Sequence, residues 1–188
     1  MVSSTAGALV PSPRVPSGEA GAYAYSWYER VLGWTLAGGP PVQLVTGIRF
    51  DVLELPADAG AAVLRRPVAT GPVAVQGRRT LFLVAPGAAE ELDGLLDWLE
   101  WGGVGLDLTA LGAGGSITAP APPGCARPRS PQGAAVWLRP PEPGCEASLP
   151  ALPGPGRDAG TDLVRLVAAA ATECHRARLG RRTQSLFS

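Results

Sequence analysis

The prolines and glycines of this chain come in clusters, and the clusters decide where a core can form. Twenty prolines and 25 glycines in 188 residues are close to the share found in disordered chains. Much of that share is gathered over residues 1–18, 38–41 and 142–160, leaving apolar stretches between. Residues 1–18 carry almost no bulky apolar side chains and read as a flexible arm; residues 142–160 read as a Pro/Gly linker. A folded domain is expected over 19–141, with a C-terminal helix and basic tail over 161–188.

Within the domain, Tyr23, Ala24, Trp27, Tyr28, Val31 and Leu32 recur at three- and four-residue spacing and predict a helix over 19–34, closed by Gly33. Strands are expected over 42–45 and 49–55, and a short helix over 58–66 that stops at Pro67. Residues 73–75 and 80–85 form a hairpin around Gln76-Gly77-Arg78-Arg79. A helix over 88–101 follows, with Leu92, Leu95, Leu96, Trp98 and Leu99 on its apolar stripe. Further strands are expected over 104–108, 116–119 and 134–138. Thr161-Asp162 caps the last helix, whose apolar residues include Leu163, Leu166, Val167, Ala170 and Ala171. Strands in succession with a few helices make an α+β fold.

Bulk chemistry narrows the function classes. Sixteen arginines, with no lysine, balance 16 acidic residues, so the whole chain has no electrostatic pull toward nucleic acid or an acidic membrane. The Ala/Gly/Pro/Arg-rich usage fits a GC-rich bacterial coding sequence. Cys125, Cys145 and Cys174 are unpaired by pattern and His175 is the single histidine, which speaks against zinc or a disulfide framework. No apolar run of about 18 residues is present and the first residues do not read as a signal peptide, so a cytoplasmic protein without membrane contact is expected.

Three segments carry candidate chemistry. Leu106-Asp107-Leu108 sets one carboxylate between apolar residues, before the turn at 112–115, Ser116-Ile117-Thr118 and a proline stop. Phe50-Asp51-Val52-Leu53-Glu54-Leu55-Pro56 and Arg78-Arg79-Thr80-Leu81-Phe82-Leu83-Val84 precede it. In order and spacing, this set resembles the N-terminal domain of the bifunctional DNA primase/polymerase (prim-pol) family, over roughly residues 42–123. The resemblance implies a small sheet flanked by helices and a Mg²⁺- or Mn²⁺-dependent nucleotidyl transfer, with metal held by acids on neighbouring strands. It puts Glu54 and Asp107 at catalytic and metal-ligand positions, and Arg78, Arg79, Thr80, Gly114 and Gly115 at nucleotide-binding ones. The family's second acid is replaced by Pro56 and its histidine by Thr80, which cannot carry positive charge.

These replacements imply a degraded active site and a non-catalytic protein that binds nucleotide or nucleic acid, or regulates. An active metal-dependent primase/polymerase is one alternative; it needs Asp51 or Asp58 to fill the gap at Pro56. Asp51 sits three residues from Glu54, on the opposite strand face, and reads as the solvent side of a half-exposed sheet. Another alternative is a protein partner captured by the apolar side of residues 163–171. Trp98 and Trp101 read as core packing or a base-stacking platform, and the arginines at 176, 178, 181 and 182 as a basic finish to the last helix. Residues 27–34 also resemble the opening helix of the glyoxalase/bleomycin-resistance family, but that family's spaced His and Glu ligands have no counterpart here.

Overall fold

Why the central strands pair as they do follows from a two-residue turn. In the computed structural model, which describes residues 20–38, 41–125, 135–153 and 162–185, β4 (Val73–Gln76) and β5 (Arg79–Val84) are joined by Gly77 and Arg78 alone. Gly77 has φ +57° and Arg78 does not share it; a positive φ at only the first turn position is the type II′ geometry that matches strand twist. The expected four-residue loop is therefore shorter, because Gln76 and Arg79 pair with each other in the ladder.

β5 also pairs along β3 (Asp51–Pro56), from Asp51↔Val84 to Pro56↔Arg79. Adding β6 (Thr109–Leu111) and β8 (Ala135–Arg139) at the edges gives a five-stranded antiparallel sheet, ordered β6-β3-β5-β4-β8. A smaller antiparallel sheet combines β1 (Leu36–Ala37), β2 (Gln43–Val45) and β7 (Ser116–Thr118) in the order β1-β2-β7. Among the described residues, two antiparallel sheets and four α-helices make an α+β fold.

Both faces of the large sheet are covered. Leu53, Leu55, Val73, Phe82 and Val84 pack under α2 (Ala57–Val63), α3 (Leu92–Trp98) and α4 (Asp162–Ser185), reaching Val63, Leu92, Leu163, Leu166, Val167 and Cys174. The alternate residues Val52, Ala74, Leu81 and Leu83 pack against Tyr28 of the N-terminal helical segment, Leu44 and Ile117 of the small sheet, and Trp34 and Phe50 of the connecting loops. That segment is α1 (Ala20–Ser26) followed by a π-helical turn, Trp27–Val31. Tyr28 anchors it: its hydroxyl donates to the Pro120 carbonyl at 2.6 Å and accepts from Trp137 Nε1 at 2.8 Å.

Several sequence expectations move. The helix expected over 88–101 is confined to α3, because residues 86–91 turn instead and the Ala89 N–H is taken by the Asp51 side chain. Trp98 is 72% exposed rather than in the apolar stripe, while Trp101 lies against the His175 ring at 5.5 Å. Residues 104–108 are not a strand; pairing begins at Thr109, beside Glu54. Residues 142–153 lie on the sheet, with a 3₁₀ turn at Cys145–Ser148, Leu149 and Ala151 buried, and Trp34 Nε1 donating to Glu146 at 2.6 Å. The arm over 1–18 and the rest of the expected linker, 154–160, lie outside the described residues. α4 is packed onto the domain, its Leu163, Leu166, Val167, Ala170 and Ala171 all buried. Among the described residues, no helix is long and apolar enough to cross a membrane.

Candidate functional site

Strand alternation brings the candidate residues together before any side chain is considered. Directly paired residues share a sheet face, as do residues two apart on one strand. Glu54 pairs with Leu81 and Pro56 with Arg79, so Glu54 and Arg79 lie on the same face of the large sheet. Asp107 stands just before β6, whose Thr109 pairs with Glu54. The sequence-predicted acids thus converge on one end of the β6-β3-β5 array.

A guanidinium stands between them. Arg79 Nε donates to Glu54 Oε1 at 2.7 Å, Nη2 to the Glu54 carbonyl at 3.3 Å, and Nη1 to Asp107 Oδ1 at 2.6 Å. The side chains of Arg79 and Glu54 are 27% and 26% exposed, and that of Asp107 is 50% exposed. Burial alone would lower the Arg79 pKa, but the hydrogen bonds and charges of Asp107 and Glu54 outweigh it and raise the pKa. One cation against two anions leaves the triad net negative.

The other candidates are dispersed. Thr80 is 1% exposed and lies on the opposite, helix-covered face, where it abuts Gly60 of α2. Arg78 is exposed in the hairpin turn. Gly114 is at the exposed tip of its turn, and Gly115 leaves room for Thr46 Oγ1, which would be 2.7 Å from a Cβ there. Thr46 holds the turn by donating from Oγ1 to the Gly112 carbonyl at 2.6 Å and from its amide to the Gly115 carbonyl at 3.0 Å. Gly47, at φ +83°, meets Ala113 so closely that any Cβ would collide. This clasp ties the loop after β2 of the small sheet to the turn between β6 and β7.

Neither carboxylate proposed to fill the gap at Pro56 joins the Arg79 bridge. Asp58 is exposed and paired with Arg181 of α4 at 3.0 Å. Asp51 is fully buried, overturning the expectation of a solvent-facing position: the turn segment 86–91 covers it. Its Oδ2 accepts from the Ala89 N–H at 3.0 Å, and its Oδ1 has no partner. Of the tail arginines, Arg176 pairs with Glu173 at 3.0 Å and Arg178 donates to the Gly105 carbonyl; the side chain of Arg182 lies outside the described residues.

Beside the triad, a cleft of about 360 Å³ opens between the two sheets. Leu81, Leu111 and Ile117 form its apolar lining; Gln43, Gln76, Ser116 and Thr118 join Glu54 and Arg79 around them. Gln76 Nε2 donates to Thr118 Oγ1 at 3.1 Å, and Gln43 Nε2 approaches the same oxygen at 3.5 Å. Sequence reasoning missed these four polar residues. The one available signal was the hairpin register, which puts Gln76 directly opposite Arg79.

The divalent ions implied by the prim-pol resemblance do not fit this arrangement. Two-metal chemistry needs several acidic ligands around a shared space, and among the described residues no group of three His, Cys, Asp or Glu side chains could hold a metal. The two acids that do converge share the Arg79 guanidinium. No protein-family model, curated protein or solved structure matches the chain.

Proposed function

We propose that the chain is a prim-pol-like domain with a degraded active site, acting as a non-catalytic binding or regulatory protein. The Arg79 bridge between Glu54 and Asp107 carries this reading: the carboxylates that a polymerase would turn toward metal are neutralised in part by a side chain of the same chain. The adjoining cleft supports a nucleotide or nucleic-acid ligand held through its base. Glutamine amides and hydroxyls suit the hydrogen-bonding edge of a base, the leucine and isoleucine lining suits its faces, and a volume of about 360 Å³ is at the small end of ligand sites. The net-negative triad repels phosphates, so the sugar and phosphates would point out of the cleft.

A thermal-shift and primer-extension comparison tests this. Nucleosides and short single strands are expected to raise Tm without added metal, and Gln76→Ala to weaken that effect about tenfold, the loss of roughly 1.4 kcal/mol of hydrogen bonding. Nucleotide incorporation is expected to be absent in Mn²⁺. A triphosphate-dependent Mn²⁺ stabilisation that disappears in both Glu54→Gln and Asp107→Asn would reverse the reading and favour an active nucleotidyltransferase.

A further inference from the structure

We infer that Arg79 is the resident cation of this site: it holds the Glu54–Asp107 pair together and bars divalent metal from it. Three oxygens converge on the one guanidinium, Glu54 Oε1, the Glu54 carbonyl and Asp107 Oδ1. An all-oxygen set containing two carboxylates is what hard divalent cations take, with water completing the shell. Here the same set is filled by a planar fork of N–H donors. Two of the three bonds run from the Nε/Nη2 edge to one residue and the third from Nη1 to the other, so the guanidinium spans β3, β5 and the segment before β6.

Charge and geometry both keep a metal out. An incoming divalent ion would face a unit positive charge a few ångströms away and would have to break charge-assisted hydrogen bonds, which are stronger than neutral ones. Arginine stays protonated at every working pH, so the exclusion has no pH window. The inference rests on the degraded-site reading proposed above, which the same contacts carry, but not on the base-binding cleft. It is tested without nucleotide, so failure of the cleft to bind a base leaves it standing, and failure of the metal titration leaves the cleft reading standing.

The test is a Mn²⁺ titration of the full chain, read by calorimetry and by the electron paramagnetic resonance of free Mn²⁺. Wild type is compared with Arg79→Gln, Arg79→Ala and Arg79→Ala combined with Asp107→Asn. Both single variants are expected to bind one Mn²⁺ about tenfold or more tighter than wild type, the size of one removed charge–charge term at a partly exposed site. Bound Mn²⁺ should also restore part of the Tm they lose, and the Asp107→Asn change should abolish the gain. If a variant folds poorly, refolding it in millimolar Mn²⁺ must recover native circular dichroism. Wild type binding Mn²⁺ as tightly as the variants, folded variants that gain nothing, or no recovery on refolding would each overturn the inference.

Discussion

Asp51 places a carboxyl group wholly inside the fold. Burial pushes its carboxyl pKa up; the Glu90 charge adds to this, and the amides of Ala89, Gly87 and Gly47 hold it back. The folded state thus binds the Asp51 proton more tightly than the unfolded chain does. Its contribution is favourable in acid and is lost as pH rises through and beyond the ordinary carboxylate range, leaving a penalty at neutral pH. Asn at this position keeps an acceptor for the Ala89 N–H and removes the buried charge. Asp51→Asn is expected to raise Tm at neutral pH by about 2–4 °C, or roughly 1 kcal/mol in a chain of this size, with no gain near pH 3. Melts across pH decide the matter: a gain of equal size in acid, or a loss at neutral pH, would refute the account. That Glu54 and Asp107 come to one place was legible in the sequence, since both bond Arg79. The burial of Asp51 was not, because Phe50-Asp51-Val52 has the alternation of a strand with one wet face, and nothing local announces the loop at 86–91 that covers it.

At the scale of elements, what the sequence hid is close packing between elements far apart in the chain. α2 carries Gly60 in its interior, a position that costs about 1 kcal/mol relative to alanine when a helix stands alone. The reason lies on β5: a Cβ at Gly60 would collide with Thr80 Oγ1 and Cβ and come within 2.8 Å of Thr80 Cγ2. Gly60→Ala is therefore expected to destabilise by about 1–3 kcal/mol, the cost of overpacking, rather than to stabilise the helix. Thr80→Ala will not rescue it, because the Thr80 Cβ itself is among the colliding atoms and remains. Urea melts of the two single variants and the double variant check this; full rescue would mean that α2 slides freely on the sheet. Proline and glycine punctuation did mark where β3, α2, β4, β5 and β7 fall. It misplaced the start of α3 and the strand before the glycine turn. In the first case a side chain 38 residues away takes the Ala89 amide; in the second, pairing with β3 begins only at Thr109.

For the whole molecule, the decisive question is whether α4 is an appendage or part of the core. By sequence it stands behind a Pro/Gly stretch, and its apolar side looked available to a partner. In the structure that side is spent on the chain's own sheet and on α2. Leu163, Leu166, Val167 and Cys174 are fully buried in the same cluster as Leu53, Leu55 and Phe82. An ion pair then ties α4 to the turn that follows α2: Glu173 of α4, 8% exposed, accepts from Arg66 Nε at 2.8 Å and from Nη2 as well. Burial also pushes the Cys174 thiol up to about 12, so at neutral pH it stays a protonated, unreactive group until the helix lifts. Leu166→Ala should cost about 2–5 kcal/mol, as a cavity in a packed core does, and should make Cys174 react faster with a thiol reagent at unchanged pH. Deleting residues 161–188 should go further and abolish cooperative unfolding, since one side of the sheet would lose a principal cover. A truncated chain that still melts sharply would return α4 to the role of a detachable partner-binding arm. The same experiment bears on the candidate site through the Asp107 carbonyl, which accepts from the Cys174 thiol at 3.5 Å. α4 thus touches the segment that delivers Asp107 to Arg79, and loss of the helix is expected to loosen the triad even where the strands survive.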